Sequence, residues 1–233
     1  MATKTAISAG ARYYGAITLP LYDLAVLKTV VPYAWQCPLS REQALYDRSV
    51  GARHLDVGVA SGYFLYHTKW PVEKPEICLM DLNEKSTKYA ANRLRQLSYQ
   101  VTELTGDARN PFPMKRAGNK DDNLFDSVGL FHLLHCIPGT LRDKQVVLQN
   151  AANALKPEGV AFGANVTPVD CEDEPNLFAK SVLAVSHGLG ALNNQNDSHA
   201  DMEKVLDDTF HDYKLERVGC MSLWAARNPK SSK

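Results

Sequence analysis

The chain has 233 residues, within the range of one domain and long enough to bury a full α/β core. Its 26 Lys plus Arg balance 26 Asp plus Glu to a formal net charge of +0, and no basic block stands out, which argues against nucleic acid as a partner. The five cysteines, Cys37, Cys78, Cys136, Cys171 and Cys220, are odd in number and scattered; with neither zinc spacing nor a disulfide framework, they fit a reducing cytosol.

From the N-terminus, Tyr13, Ile17, Leu21, Leu24, Leu27 and Val31 recur at helical spacing, interrupted by Pro20, and predict two short helices over residues 1–50. Residues 16–35 are broken by Pro20, Asp23, Lys28 and Pro32, so they predict neither a secretory core nor a membrane span, and a soluble cytoplasmic protein is expected. A buried strand follows and ends in Asp56, Gly58, Ala60 and Gly62, a tight strand-to-helix turn in which glycine permits positive φ and close backbone approach to a ligand. The sixth position of this turn is Tyr63, where a dinucleotide fingerprint needs a small residue, and Asp56 would repel a diphosphate. A cationic ligand suits the loop better.

Residues 76–81 form a second apolar run ending in Asp81 and Leu82, with a helix beyond to Arg95. Asp81 can accept from two ribose hydroxyls or cap that helix. A third run, 99–104, leads to Asp107 and Ala108, with an Asx turn as the plain alternative. A fourth, 124–131, ends at Phe131 and opens into a loop holding His132 and His135. Residues 155–159 read as the end of a helix and a glycine turn before a fifth strand at 160–166. Beyond it lie an acidic stretch at 170–174, a helix from Leu177 to Leu189 bearing His187, a flexible Gly188 to Gly190, a helix at 200–208 and strands at 213–218 and 221–226. Alternation of strand and helix argues a parallel sheet.

The spacing of Asp56, Gly58, Ala60 and Gly62 resembles the first motif of the class I S-adenosylmethionine-dependent methyltransferases, with alanine replacing the middle glycine, and the later runs match the family's order over residues 33–166. The resemblance is to the small, stand-alone type of specialised metabolism. It implies a Rossmann-like, mostly parallel seven-stranded sheet with an antiparallel C-terminal strand and a helical N-terminal cap. The chain is then one methyltransferase domain: cap 1–50, cofactor core 51–166, substrate cover 167–198, and C-terminal helix and hairpin 199–228.

In such a fold the loop at Asp56, Gly58, Ala60 and Gly62 wraps the methionine end of S-adenosylmethionine. Asp81 and Leu82 meet the ribose, Asp107 and Ala108 the adenine, and Phe131 the sulfonium. Tyr14, Tyr22, Trp35 and His187 are candidate substrate contacts, with core packing as the alternative for the aromatics. His132 and His135 are candidate bases, His132 lining the cofactor pocket and His135 nearer the acceptor, although either can instead hydrogen-bond the loop. No cluster of carboxylates and histidines recommends a metal. The expected reaction is methyl transfer to a small, largely hydrophobic acceptor such as a phenol, carboxylic acid, amine or polyketide-like intermediate. A same-fold protein catalysing a cyclisation or isomerisation, or a non-catalytic partner subunit, would carry the same motifs.

Overall fold

Among the described residues, four of the seven strands are buried along most of their length, and such strands are stable only when both faces of the sheet are covered. In the computed structural model, which describes residues 18–112 and 124–230, β1 (Arg53–Val57), β2 (Glu76–Asp81), β4 (Phe125–Phe131) and β5 (Leu155–Val166) lie at or near the centre of the sheet. β3 (Gln100–Thr105) and β6 (Phe210–Val218) are the edges, and β7 (Met221–Pro229) is inserted between β5 and β6, giving the order β3-β2-β1-β4-β5-β7-β6. β7 runs antiparallel to both of its neighbours, whereas β1 to β5 pair in parallel.

Helices form a layer on each side. On one face α2 (Leu39–Ser49), α3 (Tyr63–His67) and α4 (Glu84–Arg95) bury Leu45, Tyr46, Phe64, Leu65, Ala90 and Leu94 against Phe131, Phe162 and Ala164. On the other, α5 (Leu141–Asn153) and α7 (His199–Thr209) bury Val147, Leu148, Met202 and Leu206 against Leu55, Leu130 and Trp224. Local capping fixes where the helices begin: Asn83, Thr140, Asn176 and Ser198 each accept a backbone N–H from the first turn of α4, α5, α6 (Leu177–Gly188) and α7.

Three expectations need correction. The cap does not break at Pro20. That residue sits in the first turn of α1 (Thr18–Tyr22), where its missing N–H leaves no helical bond unmade, and the chain continues as a wide π-helical stretch to Ala34. The break falls at residues 35–38, before α2. Second, Leu155 already pairs with Phe125, so residues 155–159 belong to β5. The register slips between Phe125 and Ser127, and Gly159 fits the bulge because a Cβ there would meet the carbonyl oxygens of Lys156 and Phe125 at 3.0 Å. Third, Cys171 and Cys220 form a disulfide, their Cα atoms 4.3 Å apart, joining the segment after β5 to the turn between β6 and β7. Antiparallel pairing of β5 with β7 brings the two cysteines together despite 49 residues of separation.

Candidate active site

The concavity of about 340 Å³ at the C-terminal ends of β1 and β4 is walled by Asp56, the loop from Gly58 to Gly62, Tyr63 to Leu65, Phe131 and His132, and roofed from the cap by Tyr22 and Leu27. Backbone in the loop is left-handed at three alternate positions, with φ of +80° at Gly58, +45° at Ala60 and +68° at Gly62. Glycine is required at two of them for packing as well. A Cβ on Gly58 would come 2.8 Å from Leu133 Cδ1, and one on Gly62 would come 2.8 Å from Ala90 Cβ of α4. The volume spared at Gly58 and Gly62 is thus filled by neighbouring protein, and the loop itself borders the concavity.

Two carboxylates stand near the C-terminal ends of adjacent strands, Asp56 of β1 at the wall of the concavity and Asp81 at the end of β2. Asp56 is nearly buried; its Oδ2 accepts from Tyr46 Oη and lies 3.5 Å from His54 Nε2. Burial pushes the Asp81 carboxyl up to about 6, with the Asp56 charge adding to the effect, while backbone N–H groups of Asn83, Ala60 and Leu82 pull it down. Leu82 is half-buried beside it. Asp107 binds Arg109: the guanidinium and the Arg109 backbone N–H donate to its two oxygens at 2.6–3.2 Å, and the guanidinium holds the carboxyl below its usual range. Ala108 is buried and its carbonyl accepts from Asn150.

At the end of β4, Phe131 packs on Tyr46 and Phe64 with ring centroids 5.0 Å away in each case. His132 has φ of +54°, a strained conformation for a non-glycine residue that turns its ring toward the cap. There its Nε2 lies 3.1 and 3.2 Å from the two carboxylate oxygens of Glu42, a wholly buried acid on α2. His135 is placed differently. Its Nδ1 accepts the Val166 backbone N–H at 3.0 Å, and burial, reinforced by His132 and Lys144, holds it well below the usual imidazole range.

Of the candidate acceptor contacts, Tyr22 reaches the concavity, whereas Trp35 is buried in the core under the cap and its carbonyl accepts from Cys220 N. His187 pairs with Asn194, and Tyr14 lies outside the described residues. The cap is fastened to the loop through Asp23, which accepts from Ser61 and, at 2.8 Å, from Arg93; the Arg93 guanidinium also lies over the rings of Tyr63 and Tyr66. Glu42, Tyr46, Asp23 and Arg93 escape a motif-based reading. The available signal was modest: Glu42 lies on the apolar stripe of α2 with Leu45, Tyr46 and Ser49, where an unpartnered carboxylate would be expensive.

A doubly covered parallel sheet whose first strand ends in an acid-bearing glycine loop defines a class I S-adenosylmethionine-dependent methyltransferase, and the chain belongs to that family. Residues 55–161 match the family described as "Methyltransferase domain". The chain is 34% identical over 212 residues to the demethylluteothin O-methyltransferase of Streptomyces thioluteus, covering 89% of this chain and 86% of that protein. It is 31% identical over 231 residues to the physcion biosynthesis cluster O-methyltransferase of Aspergillus chevalieri, covering 99% of this chain and all of the relative. In fold it is similar to the structure of DhpI with SAH, with a TM-score of 0.61 at 16% identity over 96% of this chain and 97% of that one.

The protein is therefore an enzyme that uses S-adenosylmethionine to methylate a small molecule. The residues present fit the cofactor: the loop backbone borders the concavity, and the Asp56 and Asp81 carboxylates, on adjacent strands, are acceptors for its ammonium and hydroxyl groups. Among the described residues, no group of His, Cys, Asp and Glu is arranged to hold a metal, and no helix is long and apolar enough to cross a membrane.

Proposed function

We propose that the enzyme is an O-methyltransferase acting on a hydroxyl of a small, largely apolar, polyketide-like acceptor, with His132 as its general base. The observation that carries this reading is the pairing of His132 with the buried Glu42 at the wall of the concavity. If Nε2 donates to Glu42, the lone pair of the ring is on Nδ1, and the carboxylate stabilises the imidazolium that forms when Nδ1 takes a hydroxyl proton. The names of the two relatives, both O-methyltransferases, support the same choice. His135 is the weaker candidate, because its Nδ1 is committed to Val166.

Bound S-adenosylmethionine supplies a methyl group already activated by positive sulfur. The chain would contribute placement: Asp56 and the backbone at Gly58, Ala60 and Gly62 would receive the amino-acid end, Asp81 and Leu82 the ribose, Asp107 and Ala108 the adenine, and Phe131 would border the sulfonium. Arg109 already donates to both oxygens of Asp107, so an adenine amine must displace one of these bonds. Tyr22 and Leu27, with the 167–198 segment, cover the acceptor and exclude water, and orientation of this kind can be worth about 7–11 kcal/mol.

Incubation with S-adenosylmethionine and a panel of phenols, carboxylic acids and amines, followed by mass spectrometry, tests the proposal. Phenols or enols are expected to gain one methyl on oxygen. His132→Ala should lower kcat by roughly 10²–10⁴-fold and leave S-adenosylhomocysteine binding intact. Methylation confined to amines, or full turnover by the variant, would overturn it.

A further inference from the structure

A chain of buried polar groups runs behind the glycine loop. Ser127 Oγ of β4 accepts the Gly51 backbone N–H at 2.8 Å and lies 2.8 Å from His54 Nδ1. His54 Nε2 is 3.0 Å from Tyr46 Oη, and Tyr46 donates to Asp56 Oδ2. Tyr46, His54 and Ser127 are wholly buried. One proton arrangement satisfies every member: Ser127 donates to His54 Nδ1, His54 Nε2–H to Tyr46 Oη, and Tyr46 to the carboxylate. All three dipoles then point the same way, toward Asp56, and aligned bonds of this kind reinforce one another in a low-dielectric interior.

The surroundings are shaped for this chain. Gly129 of β4 carries no side chain where a Cβ would come 3.1 Å from Asp56 Oδ2 and 3.2 Å from His54 Cε1. Tyr46 is clamped by Phe64, Phe131 and Phe162, with centroids 5.0–5.6 Å away. An oxygen that binds Tyr46 in this clamp is fixed, and rotation of the Asp56 carboxylate is lost with it.

We infer that Tyr46, backed by His54 and Ser127, is a positioning residue that ties up Oδ2 of Asp56 and so presents Oδ1 to the ammonium group of the cofactor. The inference rests on the reading that Asp56 receives the amino-acid end. Tyr46 acts only through Asp56 in this scheme, so its loss should be felt by ligands that carry the amino group and by no others.

Calorimetric titration with two ligands separates these effects: S-adenosylhomocysteine, which has the amino-acid end, and 5′-methylthioadenosine, which lacks it. Tyr46→Phe keeps the clamped ring and should weaken S-adenosylhomocysteine by about fivefold to tenfold while leaving 5′-methylthioadenosine unchanged. Gly129→Ala, which crowds Oδ2 from the far side, should show the same selectivity. Tyr46→Phe added to Asp56→Asn should weaken S-adenosylhomocysteine no further than Asp56→Asn alone. Equal weakening of both ligands by Tyr46→Phe would mean that the tyrosine only packs the core, and would overturn the inference. So would unchanged S-adenosylhomocysteine binding by Tyr46→Phe when Asp56→Asn weakens it. If Asp56→Asn weakens neither ligand, the reading of Asp56 beneath the inference is itself wrong.

Discussion

Replacing Asp81 with asparagine is expected to make the cofactor-free enzyme more stable and cofactor binding weaker. Burial raises this carboxyl from 3.8 to about 6. An acid with a folded value above its unfolded value holds its proton more tightly when folded, so its contribution to stability falls as pH climbs through that interval and is adverse above about 6. Two pH units correspond to roughly 3 kcal/mol at about 1.4 kcal/mol each. Three backbone N–H groups converge on the carboxylate, from Asn83, Ala60 and Leu82, and the single oxygen of asparagine cannot serve them all. The net gain for Asp81→Asn at neutral pH is therefore nearer 1–2 kcal/mol, or about 2–8 °C in Tm for a domain of this size. Thermal unfolding of both proteins without cofactor, near pH 8 and again near pH 4.5, reads the effect: the variant should lead at the higher pH and lose most of its lead at the lower. A variant less stable than wild type near pH 8, or a gap that does not change with pH, would refute the reasoning. In the same samples S-adenosylmethionine should raise the Tm of wild type far more than that of the variant, because stabilisation by a ligand follows its affinity.

Glu42→Gln should lower kcat by about tenfold or more, part of the 10²–10⁴ that a positioned base contributes, with cofactor affinity unaltered by titration. Lys144, buried with Asp197 at 2.6 Å, gives a contrast in denaturant unfolding: Lys144→Met alone should destabilise by about 3–5 kcal/mol, and Lys144→Met with Asp197→Leu by much less, since the loss comes from the stranded charge. Mass spectrometry after alkylation without reductant should leave Cys171 and Cys220 unlabelled, and the paired serine variant should lose about 2–4 kcal/mol of stability in the same unfolding assay; full labelling of all five cysteines would contradict the bond.

The sheet was legible in the sequence because β2, β4 and residues 160–166 of β5 carry apolar runs, while β1 leads into the acid and glycines of the loop, and this punctuation locates the strand ends. The loop from Asp56 to Gly62 was legible for the same reason, since left-handed backbone leaves a mark in residue type. What the glycines clear space for was not legible, because Leu133 and Ala90 are brought against them only by the fold. The bulge at 156–159 is hidden likewise: Leu155 ends a helical pattern in sequence, and its pairing with Phe125 is decided across the sheet. Glu42 lies 90 residues from His132, and nothing local to either marks the pair. The cysteines mislead by number, for an odd count says nothing about which two meet when β7 slots beside β5. His135, equal to His132 as a motif residue, differs only in that its ring nitrogen finds the Val166 amide.

Glu42 and Tyr46 stand one turn apart on α2, one reaching His132 and the other Asp56. This moves the seam at which the cap could be exchanged. A boundary drawn from motifs falls near residue 50, with everything before it free to vary with the acceptor. A chimera spliced there would inherit a foreign helix and sever both tethers at once. Spliced within residues 35–38, where the chain leaves the π-helical stretch, it would keep both tethers and exchange the roof made by Tyr22 and Leu27 together with the Asp23 contacts to Ser61 and Arg93.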